Sequence, residues 1–354
     1  MHRFVVNISL LLATAVGSAA FAQNTEPEQT LLTSSLGSLF VDDVDFEVKW
    51  PAADQKGLSV FWWNIARGNV TICTHGEKAV INYNLTQLIK SPRRPHILAL
   101  GEYLSPGSCL EPEVVALINK HYNSHFTRYT KNQPIYLAFG IFVSKSLQLD
   151  AYQELELKWY PNDSTAESYK TTWKNKCTEA KVAGEIMYFD RTFPRLDFTV
   201  DGKQLSIIPV HMLMPWICDS ESGVLGGTLA GKFITGSSTI LGSGHPVYFQ
   251  AKDLASKIDA ALTNVAIIGD WNIPTVKAMN SATFKLFLRL GFKETTEKEW
   301  GTYSFPTSYN PEKSEHQLLL DHAFLRGKIK TTYSQILPIQ GSDHYPLLTY
   351  IEME

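Results

Sequence analysis

Val265-Ala266-Ile267-Ile268-Gly269-Asp270-Trp271-Asn272 joins an apolar run to a carboxylate and an amide. Four apolar residues in a row read as a buried strand. Gly269 permits a tight backbone turn. Asp270 and Asn272 are two apart, so an extended chain points both side chains the same way. Such a strand delivers polar chemistry to the edge of a sheet. The bland reading is a strand running into an Asx-type turn, and the rest of the chain decides between the two.

The same pattern recurs along the chain. Leu58–Ile65, rich in Val, Phe and Trp, reads as a strand ending at Asn64. Apolar residues Val80, Ile81, Leu85, Leu88 and Ile89 share one face of a helix from Gly76-Glu77 to Lys90, which Ser91-Pro92 stops. The strand His96–Leu100 runs into Gly101-Glu102, and Glu111-Pro112 opens a second helix. Phe126–Thr130 and Tyr136–Val143 read as paired strands, and Val182–Tyr188 as another. Leu196–Val200 and Gln204–Val210 form a hairpin through Asp201-Gly202, and the second of these ends at His211. A helix is expected over Val247–Leu262 and another over Ala282–Leu290, closed by Gly291. Leu318–Leu320 reads as a short strand ending in Asp321-His322, and Gly341-Ser342-Asp343-His344 precedes a strand over Pro346–Ile351. No internal repeat is visible in the sequence.

Composition bounds the reading. The chain has 354 residues, 44% hydrophobic and 19% charged, as an ordinary globular protein has. Met1-His2-Arg3, the apolar run Phe4–Val16 and Ala20-Phe21-Ala22 make a basic, an apolar and a small-x-small region. That is the order of a secretory signal cut after Ala22, so a secreted or periplasmic protein is expected. Residues 23–56 read as a leader segment, and residues 57–354 as one catalytic domain. The formal charge of −3 gives no global basic field to recruit nucleic acid. Four cysteines, Cys73, Cys109, Cys177 and Cys218, suggest two disulfides in an exported chain; three pairings are possible. Residues 214–243 form a long Gly-, Ser- and Thr-rich loop. Within it Gly226 to Lys232 nearly spells a P-loop, but Phe233 stands where Ser or Thr should bind the metal.

Asn64, Glu102, His211, Asp270 with Asn272, Asp321, and Asp343 with His344 thus each sit at or beside a strand end. Each alone could be a turn, a cap or a core residue. Together they are chemically coherent. Glu102, Asn64 and Asp343 supply hard oxygen ligands suited to Mg²⁺ or Mn²⁺. Two histidines supply a base and an acid near neutral pH, and Asp321 can orient one imidazole. Phosphodiester hydrolysis needs this set: a cation to neutralise phosphate charge, an activated water and a protonated leaving group.

The chain resembles the endonuclease/exonuclease/phosphatase superfamily, the group that includes deoxyribonuclease I and the neutral sphingomyelinases. The resemblance runs from about Gly57 onward. It rests on Trp63-Asn64-Ile65, Leu100-Gly101-Glu102, Pro209-Val210-His211, Gly269-Asp270-Trp271-Asn272, Leu320-Asp321-His322 and Ser342-Asp343-His344-Tyr345-Pro346 in this order. It implies a four-layer α/β sandwich, two packed, mostly antiparallel β-sheets flanked by helices. It also implies Glu102 as principal metal ligand with Asn64 beside it and Asp343 completing the shell. Asp270 and Asn272 would hold phosphate and water. His344, oriented by Asp321, would be the general base, and His211 would stabilise the phosphoryl oxygens or protonate the leaving group. Cys73–Cys109 is the favoured disulfide, each cysteine following a catalytic strand by a few residues, which leaves Cys177–Cys218.

The sequence departs from the superfamily's abasic-site endonucleases, which typically carry a Pro-Asn turn where His211 stands. The second glutamate of deoxyribonuclease I has no clear match in Ser124–Ser144. Arg67 reads as a solvated surface arginine that could alternatively touch phosphate. The expected activity is that of a metal-dependent phosphodiesterase, a nuclease cutting a phosphodiester in nucleic acid, with a phospholipase C or sphingomyelinase acting on a phospholipid headgroup as the alternative. Inositol phosphates are a further candidate substrate, and a non-catalytic binding module is the competing reading of the fold. A monomer without a stable protein partner is expected.

Overall fold

A computed structural model describes residues 57–65, 77–103, 110–128, 138–179, 190–213, 243–258, 262–273, 281–296, 319–337, 339, 341–342 and 344–354. The expected signal and leader, Val182–Tyr188, Arg67, Asp343, residues 214–242 and three of the cysteines lie outside the described residues, as does the side chain of Cys177.

The strands are β1 (Leu58–Asn64), β2 (Ile97–Tyr103), β3 (Tyr122–Arg128), β4 (Ala138–Ser144), β5 (Ala151–Leu157) and β6 (Arg191–Val200). They continue as β7 (Lys203–His211), β8 (Val265–Asp270), β9 (Lys293–Glu294), β10 (Asp321–Arg326), β11 (Ile329–Ile336) and β12 (Leu347–Met353). Helices α1 (Glu77–Lys90), α2 (Pro112–His121), α3 (Ala166–Glu179), α4 (Pro246–Lys257) and α5 (Ala282–Arg289) complete the described elements.

Two six-stranded sheets carry the fold. One has the order β11-β12-β1-β2-β4-β3 and the other β5-β6-β7-β8-β10-β9. Pairing is antiparallel except in the centre of each sheet, where β1 lies parallel to β2 and β7 parallel to β8. The two sheets therefore repeat one arrangement, a repeat of topology that the sequence does not display.

The sheets face each other, β1 against β8 and β2 against β7. Side chains alternate across β1. Val60 and Trp62 enter the core that includes the second sheet, while Phe61 and Trp63 pack against Ile81, Leu85 and Ile89 of α1 and Val114 and Ile118 of α2. Helices α4 and α5 cover the second sheet through Val247, Ala251, Leu254, Phe284 and Phe287. The result is an α/β sandwich of the expected class.

Several local readings change. Gly269 makes no turn. It lies inside β8 with φ 150°, and a Cβ there would stand 2.1 Å from the Val210 carbonyl oxygen. Glycine is present because the backbones of β7 and β8 meet too closely for a side chain. Asp321 starts β10 rather than ending an apolar strand, since β10 runs antiparallel to β8 and must begin where β8 ends. The helix expected over Val247–Leu262 stops at Lys257, and β3 begins at Tyr122 rather than Phe126. The strands β5, β9 and β11 and the polar helix α3 escaped the sequence reading, and β10 is anticipated only by the short strand read over Leu318–Leu320 that precedes it. The hairpin at Asp201-Gly202 is as expected, with φ 51° and 74°, both positive as a type I′ turn requires.

Candidate active site

Parallel neighbours end on the same side of a sheet, so the central pairs bring four chain ends together. Asn64 is level with Gly101 on β1 and β2, and His211 with Asp270 on β7 and β8. Asp321 enters opposite Asp270 across the antiparallel β8–β10 pair. His344 arrives just before β12, next to β1. Six residues from six places in the sequence thus meet at one end of the sandwich.

Asp270 Oδ2 is the hub. Asn64 Nδ2 donates to it at 3.2 Å and also lies 3.4 Å from Glu102 Oε1. His211 Nε2 is 3.5 Å from Asp270 Oδ2 and 3.6 Å from Glu102 Oε1. His344 Nε2 is 3.6 Å from the same Asp270 oxygen. Its other nitrogen, Nδ1, is 2.8 Å from Asp321 Oδ2, which fixes the ring. Asp270 and Asp321 are essentially inaccessible, whereas a fifth of the Glu102 side chain reaches solvent.

Backbone strain concentrates here. Glu102 and Asn272 have φ of 51° and 52°, in the left-handed region that ordinary residues avoid. Such a conformation costs on the order of 1–3 kcal/mol and persists only where the surroundings hold it. Glu102 lies within an irregularity where β2 slips register against β4 between Leu100 and Tyr103. Asn272 does not continue an extended chain, so it does not point alongside Asp270. Its backbone N–H donates to Asp270 Oδ1 at 2.8 Å and its amide to the Met212 carbonyl at 2.9 Å. Asn272 therefore clamps Asp270 and the end of β7.

Supporting contacts that sequence reasoning left without a role complete the site. Ser342 Oγ donates to the Asn64 carbonyl at 2.6 Å and accepts from the His344 N–H at 3.2 Å. Trp63 Nε1 donates to the His344 carbonyl at 2.9 Å. Trp62 Nε1 donates to Asp321 Oδ1 at 2.7 Å. Trp62 lies two residues before Asn64, on the same face of β1, and that period was the available signal.

Burial pushes the Asp270 carboxyl up to about 8. His344 acts against this, Asp321 raises it further, and donors from Asn272 and Asn64 pull it down. Glu102 and Asp270 offer carboxylate oxygens that fit a hard divalent cation, with the Asn64 amide donating to both, and a cation there would offset the buried acidity. Asp270, Asp321 and His344 also place donor atoms within 4.8 Å of one another. The Asp321–His344 hydrogen bond already engages one atom of each, so this trio suits proton handling better than a metal cage.

No protein-family model and no curated protein sequence matches the chain. Solved structures do. An endonuclease/exonuclease/phosphatase family protein from Bacteroides thetaiotaomicron superposes with a TM-score of 0.53 at 12% identity, covering 84% of this chain and 98% of that one. The human Nocturnin catalytic domain with bound sulfate gives 0.51 at 12% identity, over 94% and 100%. The mannosyl-6-phosphatase of Bacteroides thetaiotaomicron gives 0.51 at 12% identity, over 84% and 100%. The chain has the endonuclease/exonuclease/phosphatase fold.

Proposed function

We propose that the chain is an exported, divalent-metal-dependent phosphoric ester hydrolase acting on phosphodiesters. The observation that carries this reading is the meeting of Asn64, Glu102, His211 and the Asp321–His344 pair around Asp270 Oδ2. The likeness in fold to a protein named as a mannosyl-6-phosphatase supports the reaction class.

Glu102 with Asn64, joined by Asp343, would hold Mg²⁺ or Mn²⁺, which when bound supplies positive charge against the phosphate. Asp321 accepts from His344 Nδ1–H and leaves Nε2 free of that bond to take a proton from water as it attacks phosphorus. His211 stands on the Glu102 side of Asp270, where it can donate to a phosphoryl oxygen or to the departing alkoxide. Asp270, braced by Asn272, would hold the phosphate and the attacking water beside both imidazoles.

A panel of plasmid DNA, RNA, sphingomyelin, inositol phosphates and mannose 6-phosphate, each assayed with Mg²⁺ and with EDTA, tests the proposal. Metal-dependent release from a diester is expected. A fully folded protein inert on the whole panel overturns it. Turnover of sugar phosphates alone favours a phosphomonoesterase.

A further inference from the structure

Trp62 is buried completely at the boundary between the sheets and the site. Its indole lies over Gly101. A Cβ at Gly101 would stand 2.5 Å from the ring's far edge. Gly101 is the residue before Glu102 and the register partner of Asn64. The same indole reaches across to the other sheet, where Nε1 donates to Asp321 Oδ1 at 2.7 Å. An indole N–H can only donate, so Asp321 Oδ1 must accept. The second oxygen of that carboxylate meets His344 Nδ1 at 2.8 Å. Both oxygens of Asp321 are thereby fixed, one by a rigid bicyclic side chain and one by the imidazole.

We propose that Trp62 is a positioning residue that aims the Asp321 carboxylate at His344, and that Gly101 supplies the space for its ring. This rests on the hydrolase reading of the site. Without the indole donor, Asp321 can rotate to share its oxygens differently. The imidazole then loses its fixed orientation while the metal ligands and the substrate cradle keep theirs.

The test is Trp62→Phe, which keeps a ring but removes the donor. Losing a partner of a partner typically costs about 10–100-fold in activity. We expect kcat to fall in that range with KM little changed. The second readout does not depend on activity: the far-downfield imidazole N–H resonance of His344 in histidine-labelled protein, identified by its loss in His344→Asn. Trp62→Phe should shift or broaden it. The buried ring of His322, 3.1 Å from the Ile273 carbonyl, serves as the unmoved reference. If Trp62→Phe folds poorly, site-specific benzothienylalanine keeps the bicyclic shape and replaces N–H by sulfur. A folded variant with unchanged kcat and an unmoved His344 resonance overturns the proposal. A moved resonance in a protein whose native form hydrolyses no phosphoric ester would instead refute the hydrolase reading and leave the positioning intact.

Discussion

His211 and Asp270 stand level on adjacent parallel strands, with His211 Nε2 3.5 Å from Asp270 Oδ2. The pair owes its closeness to Gly269, whose missing side chain lets β8 lie against β7. Gly269→Ala should therefore do more than strain one residue. It should push the strands apart and lower stability by at least about 2–3 kcal/mol, with activity lost in whatever folded fraction remains. Thermal unfolding measures the first and turnover per folded molecule the second.

The raised Asp270 carboxyl makes metal-free stability depend on pH. Folding raises this group's proton affinity from the ordinary carboxylate value, about 4, to about 8. Its contribution is present in full below the lower value and is lost as pH rises through the upper one. The melting temperature in EDTA should fall from about pH 5 to about pH 9. Asp270→Asn should flatten that slope. A wild-type melting temperature that climbs over the same window would contradict the assignment.

Divalent metal should reverse the trend. Added Mg²⁺ or Mn²⁺ should raise the melting temperature most at high pH, where it meets ionised carboxylates. Glu102→Gln should weaken that gain at least tenfold in metal concentration and abolish most activity while leaving the metal-free fold intact. Titration calorimetry and scanning calorimetry on the same preparation check both.

The two histidines should behave as a unit. His211→Ala and His344→Ala should each lower kcat by on the order of 10²–10⁴. The double variant should lose less than the product. Asp321→Asn should reproduce part of the His344 loss, since the imidazole keeps its place but not its orientation. A His211→Ala protein that melts lower yet turns over normally would reduce His211 to a packing role.

Strand ends were legible because apolar runs stop abruptly at polar residues, and Asn64, Glu102, His211 and Asp270 could be found in that way. The order of the motifs carried the fold. What the residues alone could not convey is set by approach between distant segments. Gly269 looks like a turn residue until Val210 is known to lie against it. Asp321 looks like the end of one strand until its antiparallel partner shows it to be the start of another. Asn272 looks extended, yet its backbone is left-handed and its amide reaches the Met212 carbonyl, 60 positions away. The role of Trp62 hides for the same reason, since a tryptophan in an apolar strand reads as core.

The order of strands also sets a schedule for synthesis. The sheet from β5 to β10 comes from one continuous stretch, whereas the other needs β11 and β12 to return beside β1. Trp63 and the His344 carbonyl it holds are 281 positions apart. Contacts of such separation form late, because a long loop must close before they contribute. A growing chain can carry Glu102, His211 and Asp270 long before it carries His344. The candidate site is then incomplete until the segment carrying His344 has been made, and a chain cut short before that residue should lack any activity the site supports.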